Sequence, residues 1–536
     1  MKWITLIGLC CVCIQAQNQR KQSELHFDDI ESLLHTTTRQ RTLDSTTDSR
    51  LNVLLLSVPS TGHLSPVLAL GEELVRRGHD VTLCLPEDKD FSERIRDKVT
   101  RVGVRLITAT GQSTFETIHG KNAGHGVLLK FPSVFGIVSE IFMRFLDTYI
   151  EQNKVHVIIG EDFLTPSLVC ANHKYHVPVV FMSSTLQLTS YTYPSWPWPG
   201  MLSGAVSDDL TFLQRFFIPF EWIVGSLLVN SILGPALVKL CHNINHTYGT
   251  IAPGTYLPQI IPSVIGLEYP RTISPLTSYV GPVLTKYPDP LPTDLQLWLN
   301  GKQDHTVIYV GMGSHMHVSE EIGTAIINGI SETHYSAVWA LRKNTSFDDY
   351  HFDKKRFFVT RWVPQLSVLS HRAIRMAILH GGANGIHEAL YNEVPIIVLP
   401  HFGDQLSLAG RIHYNKLGVH IPPANLSASS ISDAIREIDE RDYTQSMKKL
   451  KKIFVQAGGV ERAADLVEYY EAVGYAHLVP AYAKYNWNWV QYYNIDVYLL
   501  LSVLLGLFLY TSYFCCRCIY RKCWNTCFQR IKIKAE

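Results

Sequence analysis

Two hydrophobic rhythms alternate along this chain. Short unbroken apolar runs, the mark of strands buried on both faces, are followed by stretches in which apolar positions return every three or four residues, the mark of amphipathic helices. The first set begins after residue 50. "NVLLLSVPS" reads as a buried strand, "LSPVLALGEELVRRG" as a helix closed by Gly78, and "HDVTLCLP" as a second strand. Strand, helix and strand in so short a span form a βαβ unit, whose strands are parallel. Further strands are expected at "VHVIIG" and "VPVVFMS", before the Pro-rich "VGPVLTKYPDPLPTDL" interrupts the pattern. Beyond it a second set runs through "HTVIYVGMGS", "SAVWALR", "RFFVTRWV", "RMAILHGG" and "VPIIVLP", with helical segments between. The pattern predicts an α/β protein of two domains, over 51–285 and 286–480, with binding groups at the carboxyl ends of parallel strands and a cleft between the domains.

The two ends break the rhythm. Residues 1–16 carry one positive charge at Lys2, an apolar run from Trp3 to Ile14 and the small Ala16, which is the pattern of a secretory signal peptide. Residues 17–50 are polar without sustained periodicity and read as a mobile extension. Near the other end, residues 497–514 give 18 positions without a charge, enough for a membrane span, expected over 495–514. Trp487, Trp489, Tyr492 and Tyr493 lie in a membrane-proximal segment, 481–494, and a basic tail occupies 515–536. Aromatic anchors on one side and cations on the other predict a single-pass type I protein with a luminal body, a membrane-lipid contact and a cytosolic tail. The last residues, "KIKAE", place lysines third and fifth from the end, resembling a dilysine retrieval signal of the endoplasmic reticulum membrane.

Composition narrows the class. With 46% hydrophobic and 11% aromatic residues among 536, the chain can fill two large cores, and wholesale disorder is excluded. The net charge of +1 conceals six basic groups in the last 22 residues against Glu536 alone, so the body is slightly acidic and offers nothing like a nucleic-acid surface. Of eleven cysteines, three lie in the signal segment and five in the tail. Cys84, Cys170 and Cys241 remain, no disulfide framework is visible, and all three are expected as buried free thiols. The tail motif "CCRC" is open to palmitoylation or to inert thiols. Asn245, Asn344 and Asn425 head glycosylation sequons.

The densest chemistry is "ILHGGANGIHEALYNEVPIIVLPHFGDQ", residues 378–405. If the first apolar run is a strand and "NGIHEALYN" a helix, Gly381 and Gly382 form a tight connection where a ligand meets bare backbone. The helix start, with its unpaired amides and positive dipole end, is a seat for phosphate, and His380 adds a donor. Asn384 and Glu388 are four apart and share a helix face, which puts a carboxylate one turn beyond that seat, where a ribose diol fits. Asp404 and Gln405, after the next strand, extend from the same edge and offer groups to further hydroxyls. Singly, each element reads as a turn, a solvated helix position or a cap. In this order they point to a nucleotide sugar.

Residues 357–405, "FFVTRWVPQLSVLSHRAIRMAILHGGANGIHEALYNEVPIIVLPHFGDQ", resemble the donor-binding signature of the UDP-glycosyltransferase superfamily, which includes the membrane-bound UDP-glucuronosyltransferases. The similarity runs from about residue 51 through "GHLSPVLALGEELVRRGHDVT", "LTFLQR" and "NWNWVQYYNIDV". It implies two Rossmann-like domains facing across a cleft, the GT-B fold, with acceptor binding in the first domain and UDP-sugar binding in the second. It also implies that Trp362 stacks on uracil, Gln365 contacts the nucleoside, Ser314 and His380 meet the diphosphate, and Glu388 holds the ribose. Gly382, Asn384, Gly385, Asp404 and Gln405 complete the UDP-sugar set. Two features depart from the family: the polar extension is long, and Gly311 stands where vertebrate relatives tend to carry serine.

A base is also needed. His63, after the first strand in "STGHLSP", occupies a strand end from which an imidazole can accept a proton near neutral pH, and it matches the family's catalytic histidine. The acid that orients it is expected at Asp162, on the family pattern of an aspartate followed four positions later by proline, here Pro166, with the adjacent Glu161 as competitor. The resemblance implies inverting transfer of a hexosyl or glucuronosyl group to a small lipophilic acceptor hydroxyl, with no cofactor and no metal. Asp88-Lys89-Asp90 reads as a polar strand end rather than a metal motif. The acceptor pocket is expected at residues 191–200 and 216–229. The alternative is a catalytically inactive, membrane-anchored UDP-sugar-binding or partner protein. A nicotinamide dehydrogenase is disfavoured because "VPSTGHLSP" lacks the glycine fingerprint. Nothing in the sequence sets the donor sugar, the acceptor or the oligomeric state, a homo-oligomer included.

Overall fold

The computed structural model describes residues 50–87, 92–112, 127–161, 164–183, 211–213, 216, 257–268, 270, 273–313, 318–341, 351–401, 404–479, 490 and 494–533. The first half holds strands β1 (Asn52–Leu56), β2 (Asp80–Glu87), β3 (Arg105–Gln112), β4 (Val157–Glu161), β5 (Val179–Met182), β6 (Gln259–Ile261) and β7 (Thr277–Tyr279). They form one parallel sheet in the order β3-β2-β1-β4-β5-β6-β7. Helices α1 (Thr61–Arg76), α2 (Ser92–Arg101), α3 (Val127–Gln152) and α4 (Thr165–Tyr175) make the crossovers.

The sequence of β1 shows why the sheet lies in the middle. Val53 and Leu55 enter one apolar cluster, with residues of α1, while Leu54 and Leu56 enter another, with residues of α3 and α4. A strand whose successive side chains point to opposite faces can be apolar throughout only if both faces are covered. Each such leucine, fully buried, stabilises the fold by about 1.5–3 kcal/mol.

The second half repeats the plan. Helix α5 (Thr293–Asn300) leads into β8 (Val307–Gly311), α6 (Glu320–Ser331), β9 (Ser336–Ala340), β10 (Phe357–Thr360), α7 (Gln365–Leu369), β11 (Ile374–Leu379), α8 (Ala383–Tyr391), β12 (Ile396–Val398), α9 (Asp404–Tyr414), β13 (Gly418–His420) and α10 (Ala428–Glu440). The six strands are parallel in the order β10-β9-β8-β11-β12-β13, and one apolar cluster fills the layers around them. Two helices close the body, α11 (Thr444–Ala457) and α12 (Gly459–Val473). The latter returns to the first half, where Val460, Ala463, Ala464, Val467 and Tyr470 join the cluster that covers β1.

A separate unit holds α13 (Ile495–Ile533). Among the described residues it is the one helix long and apolar enough to cross a membrane. The signal segment, the polar extension before Arg50, the four membrane-proximal aromatics, Asn245, Asn344 and the expected acceptor stretch 191–200 lie outside the described residues, as does 216–229 apart from Phe216. Asn425 is exposed. Cys84 is buried and free, but Cys170 is disulfide-bonded, which corrects the expectation that the body thiols are all free. Its partner is outside the described residues. The odd count of body cysteines could not reveal it.

Candidate active site

In each sheet the strand order reverses beside the first strand of the half, between β1 and β4 and between β8 and β11. Crossovers leave on opposite sides at such a point, so a crevice opens at the carboxyl ends of the strands, where parallel α/β sheets bind ligands. His63 stands at the first reversal and His380 at the second.

His63 sits within the first turn of α1, which begins at Thr61 rather than at Leu64 as the apolar pattern suggested. Its Nδ1–H donates to Oε2 of Glu161, the last residue of β4. Glu161 is fully buried, and a buried carboxylate is tolerated only when its oxygens are met by donors. The other oxygen, Oε1, accepts from the Ser57 hydroxyl at 3.0 Å and from the Val58 amide. Three groups thus lock one carboxylate, and the carboxylate locks one ring. With Nδ1 committed as donor, the neutral imidazole carries its lone pair on Nε2. Asp162, ranked above Glu161 from the sequence, lies outside the described residues; the ring contact that is described belongs to Glu161.

At the second reversal, His380 is held between two glycines. A β-carbon on Gly313 would fall 2.7 Å from its Cε1, and one on Gly382 would fall 2.6 Å from its Nε2. Gly313 also has φ +75° and Gly381 φ +95°, values that side chains rarely adopt. The ring's Nδ1 lies 3.4 Å from the carbonyl of Gly311. Burial pulls its pKa down to about 4, only partly opposed by that carbonyl, so the imidazole is neutral at pH 7.

Helix α8 starts directly after this ring. Its N-cap is Gly382, and no side chain caps it, so the first-turn amides of Ala383, Asn384 and Gly385 face the crevice edge without a competing side-chain acceptor. One turn on, Glu388 accepts from Gln365 Nε2 at 2.7 Å and from Asn384 Nδ2 at 3.2 Å. The Tyr309 hydroxyl completes the chain by donating to Gln365 Oε1 at 2.8 Å. Burial pushes the Glu388 carboxyl up to about 7, with the two amide hydrogen bonds opposing. Burial likewise raises the Tyr309 phenol. Gly385 faces this group, since a β-carbon there would lie 3.3 Å from Gln365 Nε2.

The remaining expected residues divide. Trp362 is 40% exposed, just after β10. Asp404 opens α9 and is half-buried. Gln405 is buried, and its Oε1 accepts from the His401 amide at 2.9 Å. It also lies where a β-carbon on Gly381 would come within 3.1 Å, so it props the glycine turn. Ser314 lies outside the described residues.

The two reversals meet. The start of α1 and the start of α8 line one narrow cavity of about 10 Å³, with Gly62 and Pro66 on one wall and Ala383, Asn384 and His387 on the other. A buried polar tie runs along its wall. His387 Nε2–H donates to Ser263 Oγ at 3.3 Å, Ser263 donates to Glu268 Oε1 at 3.2 Å, and Glu268 Oε2 pairs with Arg411. Sequence reasoning missed Ser57, Tyr309 and this tie. The signal was present only as polar residues inside apolar runs, which do not name their partners.

Two parallel α/β sheets, each with its strand order reversing beside the first strand of its half, have the architecture of the GT-B class of glycosyltransferase. Solved structures agree on the fold: the glycotransferase of kitacinnamycin aligns with a TM-score of 0.56 at 20% identity, over 80% of this chain and 99% of that one. The calicheamicin glycosyltransferase CalG4 aligns with a TM-score of 0.54, also at 20% identity, over 79% and 99%. Among curated proteins, human UDP-glucuronosyltransferase 1A5 is 25% identical over 521 residues, 88% of this chain and 91% of its own. Rat 2-hydroxyacylsphingosine 1-beta-galactosyltransferase is 27% identical over 331 residues, 60% of each chain. The model of the family described as UDP-glucoronosyl and UDP-glucosyl transferase matches residues 137–530. The chain belongs to that family, and it is a UDP-glycosyltransferase.

Proposed function

We propose that the protein transfers a hexosyl or glucuronosyl group from a UDP-sugar to the hydroxyl of a small lipophilic acceptor with inversion at the anomeric carbon, His63 acting as base and Glu161 holding it. The observation that carries this reading is the Ser57–Val58–Glu161–His63 assembly, whose histidine follows Gly62, a residue that lines one narrow cavity with Ala383 and Asn384 at the start of α8. His63 Nε2 takes the acceptor's proton, the freed oxygen bonds to the anomeric carbon, and the bond from that carbon to the β-phosphate oxygen breaks. The imidazolium that forms lies against the Glu161 carboxylate.

UDP departs with a developing negative charge. The amides at the start of α8 answer it, and His380, neutral when the site is empty, gains a reason to take up a proton beside a diphosphate. These groups supply the charge stabilisation that a metal supplies in other glycosyltransferases, so the reading requires none. Glu388 accepts from the ribose diol, and Asp404 stands at the neighbouring strand end for sugar hydroxyls. The curated relatives' names specify glucuronosyl and galactosyl transfer, and these two sugars head the candidates. For the cell, the reading is a signal-directed, single-span protein of the endoplasmic reticulum with a luminal body, supported by α13 and the charge asymmetry around it. Microsomes holding the full chain, assayed with a matrix of UDP-sugars and lipophilic alcohols or phenols, should form product with at least one pair and lose it with His63→Ala. A His63→Ala variant as fast as wild type ends the assignment.

A further inference from the structure

Helix α13 does not stop where its apolar run stops. The uncharged stretch is 20 residues long, from Val497 to Cys516, between Asp496 and Arg517. At 1.5 Å per residue it spans about 30 Å, the thickness of a bilayer's hydrocarbon core. The helix continues to Ile533. Cys515 and Cys516 are therefore the last two positions of the apolar run, and Cys518 follows one residue later.

All three thiols are free and exposed. They differ from Cys84, which is buried in the body with its thiol pushed out of the ionising range by desolvation. Their surroundings are those of a membrane surface. Tyr513, Phe514, Ile519, Tyr520 and Trp524 are each more than half exposed, with the Tyr520 and Trp524 rings stacked at 6.0 Å, and Arg517, Arg521 and Lys522 lie exposed among them. Aromatic rings and cations together at the end of a span favour the interfacial layer, especially an anionic leaflet. A thiol at this level is open to water-side chemistry, and an acyl chain attached to it has hydrocarbon directly beside it.

We infer that Cys515, Cys516 and Cys518 form a site of reversible S-acylation by long-chain acyl-CoA on the cytosolic face. In the step, a cysteine sulfur attacks the thioester carbonyl of the acyl-CoA. A new sulfur–acyl bond forms, the CoA sulfur–acyl bond breaks, and the cysteine's proton leaves on the CoA thiol, so that no oxidant or reductant is needed. The three positions point in different directions around the helix, at 100° per residue, and a single span has lipid on every side. The acyl chains pin the depth of the helix at the boundary where its charge begins. The inference rests on the orientation proposed above.

The test uses the full chain in microsomes. Free thiols are blocked with a maleimide, thioesters are cleaved with neutral hydroxylamine, and the released thiols are tagged with a maleimide-linked polymer that retards the band. Wild type should show hydroxylamine-dependent retarded bands, and the triple variant Cys515→Ser, Cys516→Ser, Cys518→Ser should lose them. No retarded band in wild type overturns the inference, and bands that persist in the triple variant place the acyl group elsewhere and overturn it too. A membrane-impermeant maleimide applied to intact microsomes separates this from topology. Labelling of these thiols from outside without any thioester sinks acylation alone, whereas labelling only after detergent puts the tail in the lumen and sinks the orientation with it.

Discussion

Glu161→Gln is the most discriminating change the structure offers. The substitution keeps the size of the side chain and leaves an amide oxygen for Ser57 and Val58, but it removes the charge that faces the His63 ring. That charge matters only once the ring is protonated, which happens as the acceptor loses its proton. A unit pair about 4 Å apart is worth about 4 kcal/mol at an effective dielectric of 20 and about 1 kcal/mol in water. Glu161 is fully enclosed and the His63 side chain is 20% exposed, which places the pair toward the protein-like end, at about 2 to 4 kcal/mol. The expected fall in kcat is thus roughly 30- to 1000-fold, with UDP inhibition unchanged because the donor seat is untouched. Initial rates at saturating UDP-sugar, with product separated by chromatography, measure it. Asp162→Asn, the change at the acid that the sequence ranked first, serves as the companion variant and should cost less than Glu161→Gln. If Glu161→Gln keeps its rate, or Asp162→Asn loses more, the base is oriented by another group and the reasoning fails.

Other expectations follow from the same geometry. Ser57→Ala removes one of the two donors on Oε1, a hydrogen bond to a charged group worth about 1.5–3 kcal/mol, so kcat should drop about tenfold or more with donor KM held, and Ser57→Thr should restore part of it. Gly382→Ala puts a β-carbon 2.6 Å from His380 Nε2 and should raise the KM for the UDP-sugar by at least about tenfold, or ~1.4 kcal/mol; an unchanged KM removes His380 from the donor site. Glu388 is held protonated below about 7 and accepts fully from a diol only when ionised, so donor affinity measured by titration should strengthen as pH rises through 7, and Glu388→Gln should flatten that profile. The same raised pKa contributes stability that is complete below 4.5 and is lost as pH climbs to about 7. Glu268→Gln removes the charge that Arg411 pairs with inside the body, and breaking a buried pair should cost about 3–5 kcal/mol and show as a lower melting temperature in calorimetry of the detergent-solubilised chain.

Much of this architecture is legible in the sequence, for an identifiable reason. Strands buried on both faces are unbroken apolar runs, so β1, β2, β8, β11 and β12 stand out, and the helices between them carry their own period. The strands β6, β7 and β13 do not stand out. Each has three residues, and "QII", "TSY" and "GVH" hold too few positions to show any rhythm; their pairing with a neighbour defines them. The donor site was readable because one continuous stretch supplies His380, Gly382, Asn384 and Glu388. The contact of Glu161 with His63 was not, because it comes from a strand 98 residues away, and no local pattern in the sequence pairs the two. Tyr309, Gln365 and Glu388 join through three separate elements, and no local pattern announces such a meeting.

The return of α12 to the first half has a consequence for anyone exchanging pieces between relatives. Its residues Val460, Ala463, Ala464 and Val467 pack with the sheet and with the helix that carries His63, although they are encoded almost four hundred positions later. A chimera that takes its first half from another transferase and keeps this ending inherits a lid cut for a different box. Swaps that move both pieces together should yield folded, active hybrids more often than swaps made at the obvious midpoint.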